Sequence, residues 1–146
     1  MMGFSLAKAI KFTKDLFMTA KINCVKGIIN ISSQSVYGNK SKPLWNEDTP
    51  VSPDSTYAMA KYATEILTHT ICNQKTMIGT NIRLDSLLGP GLDARLVSRF
   101  VNQVIKHEPI KIIGGMQKLS FLDVRDASEG LISLIFYRYA KLEKYI

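Results

Sequence analysis

The run Ile28-Ile29-Asn30-Ile31-Ser32-Ser33 restricts this chain's possible folds more than any other stretch. An apolar segment ending in paired serines reads as a buried strand whose hydroxyls emerge at its C-terminal end. Val36-Tyr37-Gly38 follows, then a loop to Ser55 rich in Pro, Asp, Asn and Ser, too polar to be core. Beyond it, Tyr57 and Lys61 lie four apart in a segment of helical pattern. That spacing puts both side chains on one helix face, a turn apart. A free tyrosine titrates near ~10. One ammonium about 5 Å from such a phenol favours the phenolate by roughly 3 kcal/mol at an effective dielectric near 20. Serine at a strand end, with tyrosine and lysine on the next helix, is therefore a set suited to general acid–base chemistry near neutrality. Glu65 lies four residues after Lys61, so a plain surface ion pair is the competing account of that lysine.

In chain order, residues 5–20 form an amphipathic helix, with Leu6, Ile10, Phe17 and Ala20 on one side and Lys8, Lys11 and Lys14 on another. Asn23 and Gly27 mark the turn into the strand Gly27–Ser33. A second helix spans 55–74, with Pro53 blocking an earlier start and Asp54 or Ser55 as its cap. A strand follows over 75–84, then a third helix over 94–106 and short strands over 109–113 and 119–124. Asp126 caps a last helix over 127–139. Strands alternating with helices predict an α/β fold with parallel pairing. Trp45 either folds over a ligand or anchors its own loop.

The 146 residues allow one domain with a real core. A formal charge of +7 invites nucleic acid as a partner, but the lysines form no dense run, so a solvated basic surface is expected. Cys24 and Cys72 have no metal-ligand spacing and read as reduced core or near-core residues; no metal site is expected. His69 and His107 read as surface or helix-end histidines, not ligands. No segment approaches 18 apolar residues and no signal-peptide core is visible, which predicts a soluble, cytoplasmic protein without a membrane partner.

Four stretches in this order closely resemble the extended short-chain dehydrogenase/reductase family, the NAD-dependent epimerases and dehydratases of sugars. They are Ser32-Ser33-Gln34-Ser35-Val36-Tyr37-Gly38; the acidic loop Asn46 to Pro53 leading into Tyr57-x-x-x-Lys61; Arg83 to Gly91; and Phe121 to Asp126. The resemblance implies a partial Rossmann-like, mostly parallel sheet with flanking helices and the beginning of the small substrate domain, all in one partial domain over 1–146. It implies NAD or NADP as cofactor and a small-molecule substrate, a sugar, nucleotide sugar or similar hydroxyl or carbonyl compound. By the same likeness, Tyr57 is the acid/base on the substrate hydroxyl, and Lys61 bonds the nicotinamide ribose and activates the tyrosine. Ser33 orients the reacting oxygen, Ser32 adjoins the cofactor, and Gln34 and Ser86 adjoin the substrate. Family members pair through the helices matching 5–20 and 55–74, which implies a homodimer. Phe4, Phe12 and Met18 in the first helix, and Tyr62, Ile66 and Ile71 in the second, supply apolar surface beyond one core stripe.

Two features depart from the family pattern. No Gly-rich strand–helix turn precedes Gly27, so the chain corresponds to about half a typical member and lacks the pyrophosphate cradle. Gly89-Pro90-Gly91-Leu92-Asp93-Ala94 matches the dinucleotide fingerprint formally, but Asp93 would set a carboxylate where the phosphates sit. In addition, Ser86 stands where sugar-nucleotide epimerases carry asparagine, and Leu119 where many carry a phosphate-binding arginine. Losing a charge-assisted contact of that kind costs on the order of 1.5–3 kcal/mol and argues against a nucleotide sugar. The alternative to an enzyme is a truncated, non-catalytic relative acting as an interaction module.

Overall fold

In the computed structural model, which describes residues 5–39, 44–72, 77–92, 95–115 and 119–142, the Ser-Ser stretch is a strand with the expected bounds. It is β1, Gly27–Ser33, preceded by α1, Leu6–Ile22, and followed by a 3-10 turn over Gln34–Tyr37. Helix α2 spans Thr56–Cys72 and leads to β2, Ile78–Leu84. Ser55 caps α2, its Oγ accepting the Ala58 N–H at 3.1 Å. Asp54 instead accepts from the Asn39 amide at 2.6 Å. Positions 73–76, which include the expected end of the second helix and start of the next strand, lie outside the described residues.

The chain divides into two compact units, Met1–Leu84 and Asp85–Ile146. In the first, β1 and β2 pair in parallel with Ile28 opposite Gly79, Asn30 opposite Asn81 and Ser32 opposite Arg83. A two-residue period sends alternate residues to one face. Ile28, Asn30 and Ser32, with their partners across the register, therefore face α2. Phe17, Ile71, Cys72 and Met77 form the core there, with Ala20, Ile28 and Leu67 packed on it. Ile71 thus belongs to the core and not to the outer apolar face expected for it. Gly79 is needed at this seam, since a Cβ would meet Thr68 Cγ2 and Cys72 Cβ at 2.6 Å each.

In the second unit, β3, Ser86–Leu88, pairs in parallel with β4, Phe121–Asp123. Helix α3, Leu96–Ile105, lies between them in sequence, and α4, Val124–Leu142, follows β4 directly. Asp126 is therefore inside the first turn of α4 and not its cap. Asp123 takes that role, its Oδ1 accepting the Arg125 N–H at 2.8 Å. No strand forms over 109–113. Pro109 has no amide proton to donate, no neighbouring strand offers a ladder among the described residues, and Ile112 and Ile113 stay exposed. Cys72 is buried as expected, whereas Cys24 is exposed in the turn after α1. Both histidines are exposed. No helix among the described residues is long and apolar enough to cross a membrane.

Candidate active site

Parallel pairing brings the C-terminal ends of β1 and β2 to the same side, and β1 ends in Ser33. The Ser33 Oγ accepts the Ser35 N–H at 3.2 Å, capping the 3-10 turn and leaving its own proton for another acceptor. Val36 and Tyr37 then bury. Gly38 adopts φ +63 because the chain returns across it: Ser52 N–H donates to the Val36 carbonyl at 2.9 Å, and a Cβ on Gly38 would lie 2.0 Å from the Ser52 carbonyl oxygen. This return carries the chain from the strand end into α2, whose first turn holds Tyr57.

Tyr57 is 48% exposed, and the Lys61 Nζ lies 5.8 Å from its ring centroid. Lys61 makes no ion pair with Glu65. Its ammonium instead donates to the Ile31 carbonyl at 2.8 Å, tying α2 to β1 two residues before Ser33. The backbone explains why that carbonyl is available. Lys26 O accepts from Ile78 N–H, and in a parallel ladder the residues bonded to one neighbour alternate. Even-numbered residues of β1 therefore bond β2, and Ile31 points its carbonyl to the other edge. Tyr57 and Lys61 line a groove of about 530 Å³ between α1 and α2, together with Ser5, Lys8, Phe12, Asn30 and Thr64.

Glu65 is buried and serves a different purpose. Its carboxylate accepts from Arg83 Nη2 at 2.7 Å and Nε at 3.0 Å, and from the Ser32 hydroxyl. Hydrogen bonding to Glu65 first, and then to Tyr37, outweighs burial and holds the Arg83 guanidinium even more firmly protonated than usual. Ser32, expected beside the cofactor, thus turns its hydroxyl into the interior. Arg83 also donates to the Tyr37 hydroxyl at 3.0 Å. Tyr37 stacks on Trp45 with ring centroids 5.3 Å apart, so Trp45 anchors its loop. The expected substrate contact Gln34 is half-buried in the 3-10 turn. Ser86 lies in the second unit at the start of β3, its N–H bonded to Asp85 Oδ1 at 2.6 Å. Among the described residues no cluster of His, Cys, Asp and Glu could hold a metal.

The structure therefore brings Ser33, Tyr57 and Lys61 into one unit and adds Glu65 and Arg83, which sequence reasoning missed. The available signal was the strand register: a carboxylate on α2 facing a sheet that presents an arginine beside a serine.

Known proteins share this chain's sequence pattern and fold. A UDP-glucuronate 4-epimerase of Thermodesulfobacterium geofontis is 31% identical over 114 residues, covering 75% of this chain and 34% of that protein. UDP-glucuronic acid decarboxylase 4 of Arabidopsis thaliana is 33% identical over 71% of this chain and 26% of its own length. The chain thus spans about a third or less of these relatives. Among solved structures, the Bacillus cereus UDP-glucuronic acid 4-epimerase in complex with UDP-glucuronic acid and NAD superposes with a TM-score of 0.76 at 27% identity, over 87% of this chain and 41% of that one. The α/β architecture with parallel strands and flanking helices is the Rossmann-like one of these enzymes. Residues 5–141 match the NAD dependent epimerase/dehydratase family, and the chain belongs to that family.

Proposed function

We propose that this chain carries the catalytic part of an NAD(P)-dependent epimerase, dehydratase or reductase that acts on a nucleotide sugar. The observation that carries the reading is the placement of Lys61. One ammonium is fixed to the strand that ends in Ser33 and stands 5.8 Å from the Tyr57 ring. A surface lysine paired with Glu65 would have no reason to take that position.

The donor set fits the ribose end of a nicotinamide cofactor. Lys61 spends one of three ammonium protons on Ile31, so two more can reach vicinal hydroxyls in the groove. Bound there, the nicotinamide supplies the hydride acceptor or donor. Tyr57 takes the proton of a substrate hydroxyl, or returns one to a carbonyl oxygen. Ser33 donates its hydroxyl proton to the same oxygen and holds it in line, while its own Oγ is steadied by the Ser35 N–H. The relatives named above act on or bind UDP-glucuronic acid, which favours a UDP-hexuronic acid or UDP-hexose over the simpler sugars. That weighs against the inference drawn from Ser86 and Leu119.

We further propose that two copies pair through α1 and α2. Met18 is 41% and Ile66 51% exposed on these helices, outside that groove, and an apolar second face is buried against something.

The test is turnover of UDP-glucuronic acid and UDP-glucose with millimolar NAD, read as reduced nicotinamide or as a new sugar epimer. Product formation that vanishes in Tyr57→Phe supports the reading. Absence of any product, or equal turnover in Tyr57→Phe, overturns it.

A further inference from the structure

Glu65 is only 5% exposed, and a carboxylate so removed from water requires its lone pairs to be answered. Ser32 and two nitrogens of Arg83 answer them. The third nitrogen of Arg83, Nη1, donates to the Tyr37 hydroxyl, and the guanidinium carbon lies 4.9 Å from the Tyr37 ring centroid. The Tyr37 hydroxyl donates onward to the Asn46 carbonyl at 2.9 Å, and the ring stacks on Trp45 at an interplanar angle of 22°. These contacts form one unbroken series from α2, across β2, to the loop that holds Trp45 and Asn46.

The two ends of that series matter. Ser32 directly precedes Ser33, and Glu65 lies one turn beyond Lys61 on the same helix. The carboxylate therefore fixes the end of β1 against the α2 turn that follows Lys61. The same guanidinium, through Tyr37, fixes the loop that leads into α2. A forked, two-point pair sets angle as well as distance, which an ammonium in place of the guanidinium would not do.

We propose that Glu65 and Arg83 are positioning residues: their ion pair sets Ser33 against Tyr57 and Lys61 and, through Tyr37, seats the loop that carries Trp45. The catalytic half of this statement rests on the function proposed above; the loop half does not.

Trp45 is the chain's single tryptophan, so its fluorescence reads the far end of the series alone. The full chain is compared with Tyr37→Phe, which keeps the stack but removes the hydroxyl between Arg83 and Asn46, and with Arg83→Lys and Glu65→Gln. The expected result is a red-shifted Trp45 emission and stronger acrylamide quenching in all three, with unchanged far-ultraviolet circular dichroism. Turnover should fall by about tenfold to a hundredfold in Glu65→Gln with little change in KM, as for reacting groups displaced by about an ångström. Emission and quenching unchanged in Tyr37→Phe and Arg83→Lys overturn the proposal. If Glu65→Gln does not fold, Tyr37→Phe decides, because it leaves the ion pair in place. Shifted emission in a chain without any turnover supports the loop role and counts against the function itself. Shifted emission with undiminished turnover overturns the catalytic half.

Discussion

Arg83 grips Glu65 at two points, Nη2 at 2.7 Å and Nε at 3.0 Å, in a pair whose carboxylate side is almost wholly out of water. The register explains the match. Ser32 stands opposite Arg83 across the ladder, and both face the helix that supplies Glu65.

Removing one partner of such a pair leaves the other charge uncompensated. Glu65→Ala should lower unfolding free energy by about 3 kcal/mol, less than for a fully enclosed pair because Arg83 keeps partial access to solvent. The double variant Glu65→Met with Arg83→Met should lose less than the single Glu65→Ala. Urea midpoints check this; a double variant at least as unstable as the single one contradicts it.

For the candidate active site, Tyr57→Phe should leave NAD binding close to that of the parent, while Lys61→Ala weakens it. If the cofactor contacts are those proposed for Tyr57 and Lys61, the parent chain itself should bind NAD more weakly than about 10 μM, roughly 7 kcal/mol. Calorimetric titration decides. Tighter binding by the parent would show a pyrophosphate site elsewhere in these residues.

At the start of α4, Arg125 beside Asp123 holds that carboxyl at about 2, below its ordinary 3.8. A depressed folded-state value means the contribution is fully present above the unfolded value. It is lost as the pH falls through the window from 3.8 to about 2. Asp123→Asn should remove this acid dependence of the first turn of α4. Carboxyl chemical shifts against pH would show it; a midpoint near 4 for Asp123 in the folded chain would refute the contact.

The two cysteines should react very differently. Burial pushes the Cys72 thiol up, with Lys21 pulling weakly the other way, and no surface of it is open. Cys24 is exposed. Thiol reagents at neutral pH should modify Cys24 at once and Cys72 only on unfolding. Two equally fast thiols would contradict the packing of α2 on β2.

Paired copies are expected at tens of micromolar. Ile66→Glu should weaken the association and leave the fold intact, since Ile66 is exposed on α2 and lies outside the Phe17 core. Light scattering checks both; a monodisperse monomer in the parent rules out the α1–α2 interface.

Much of this was legible in the amino-acid sequence, and the failures have physical causes. Strand β1 was bounded correctly because an apolar run between Gly27 and paired serines has few alternatives. Tyr57 and Lys61 share a face because four residues make about one turn. The competing account, an ion pair of Lys61 with Glu65, failed although it rests on the same spacing. Local spacing offered Lys61 as the partner of Glu65, whereas the true partner, Arg83, is 18 positions away and is reached only once β1 and β2 are in register. The stretch over 109–113 shows the converse. Its β-branched residues suit a strand, but a strand exists only beside another, and propensity carries no information about neighbours.

The bond from Lys61 to the Ile31 carbonyl has a consequence for binding entropy. A free lysine side chain loses about 2 kcal/mol of rotamer freedom when it is immobilised. Here the sheet edge has already restricted that freedom before any ligand arrives. Any hydroxyl-bearing ligand that entered the groove would meet an ammonium already held by Ile31, so its hydrogen bonds would not have to offset that loss.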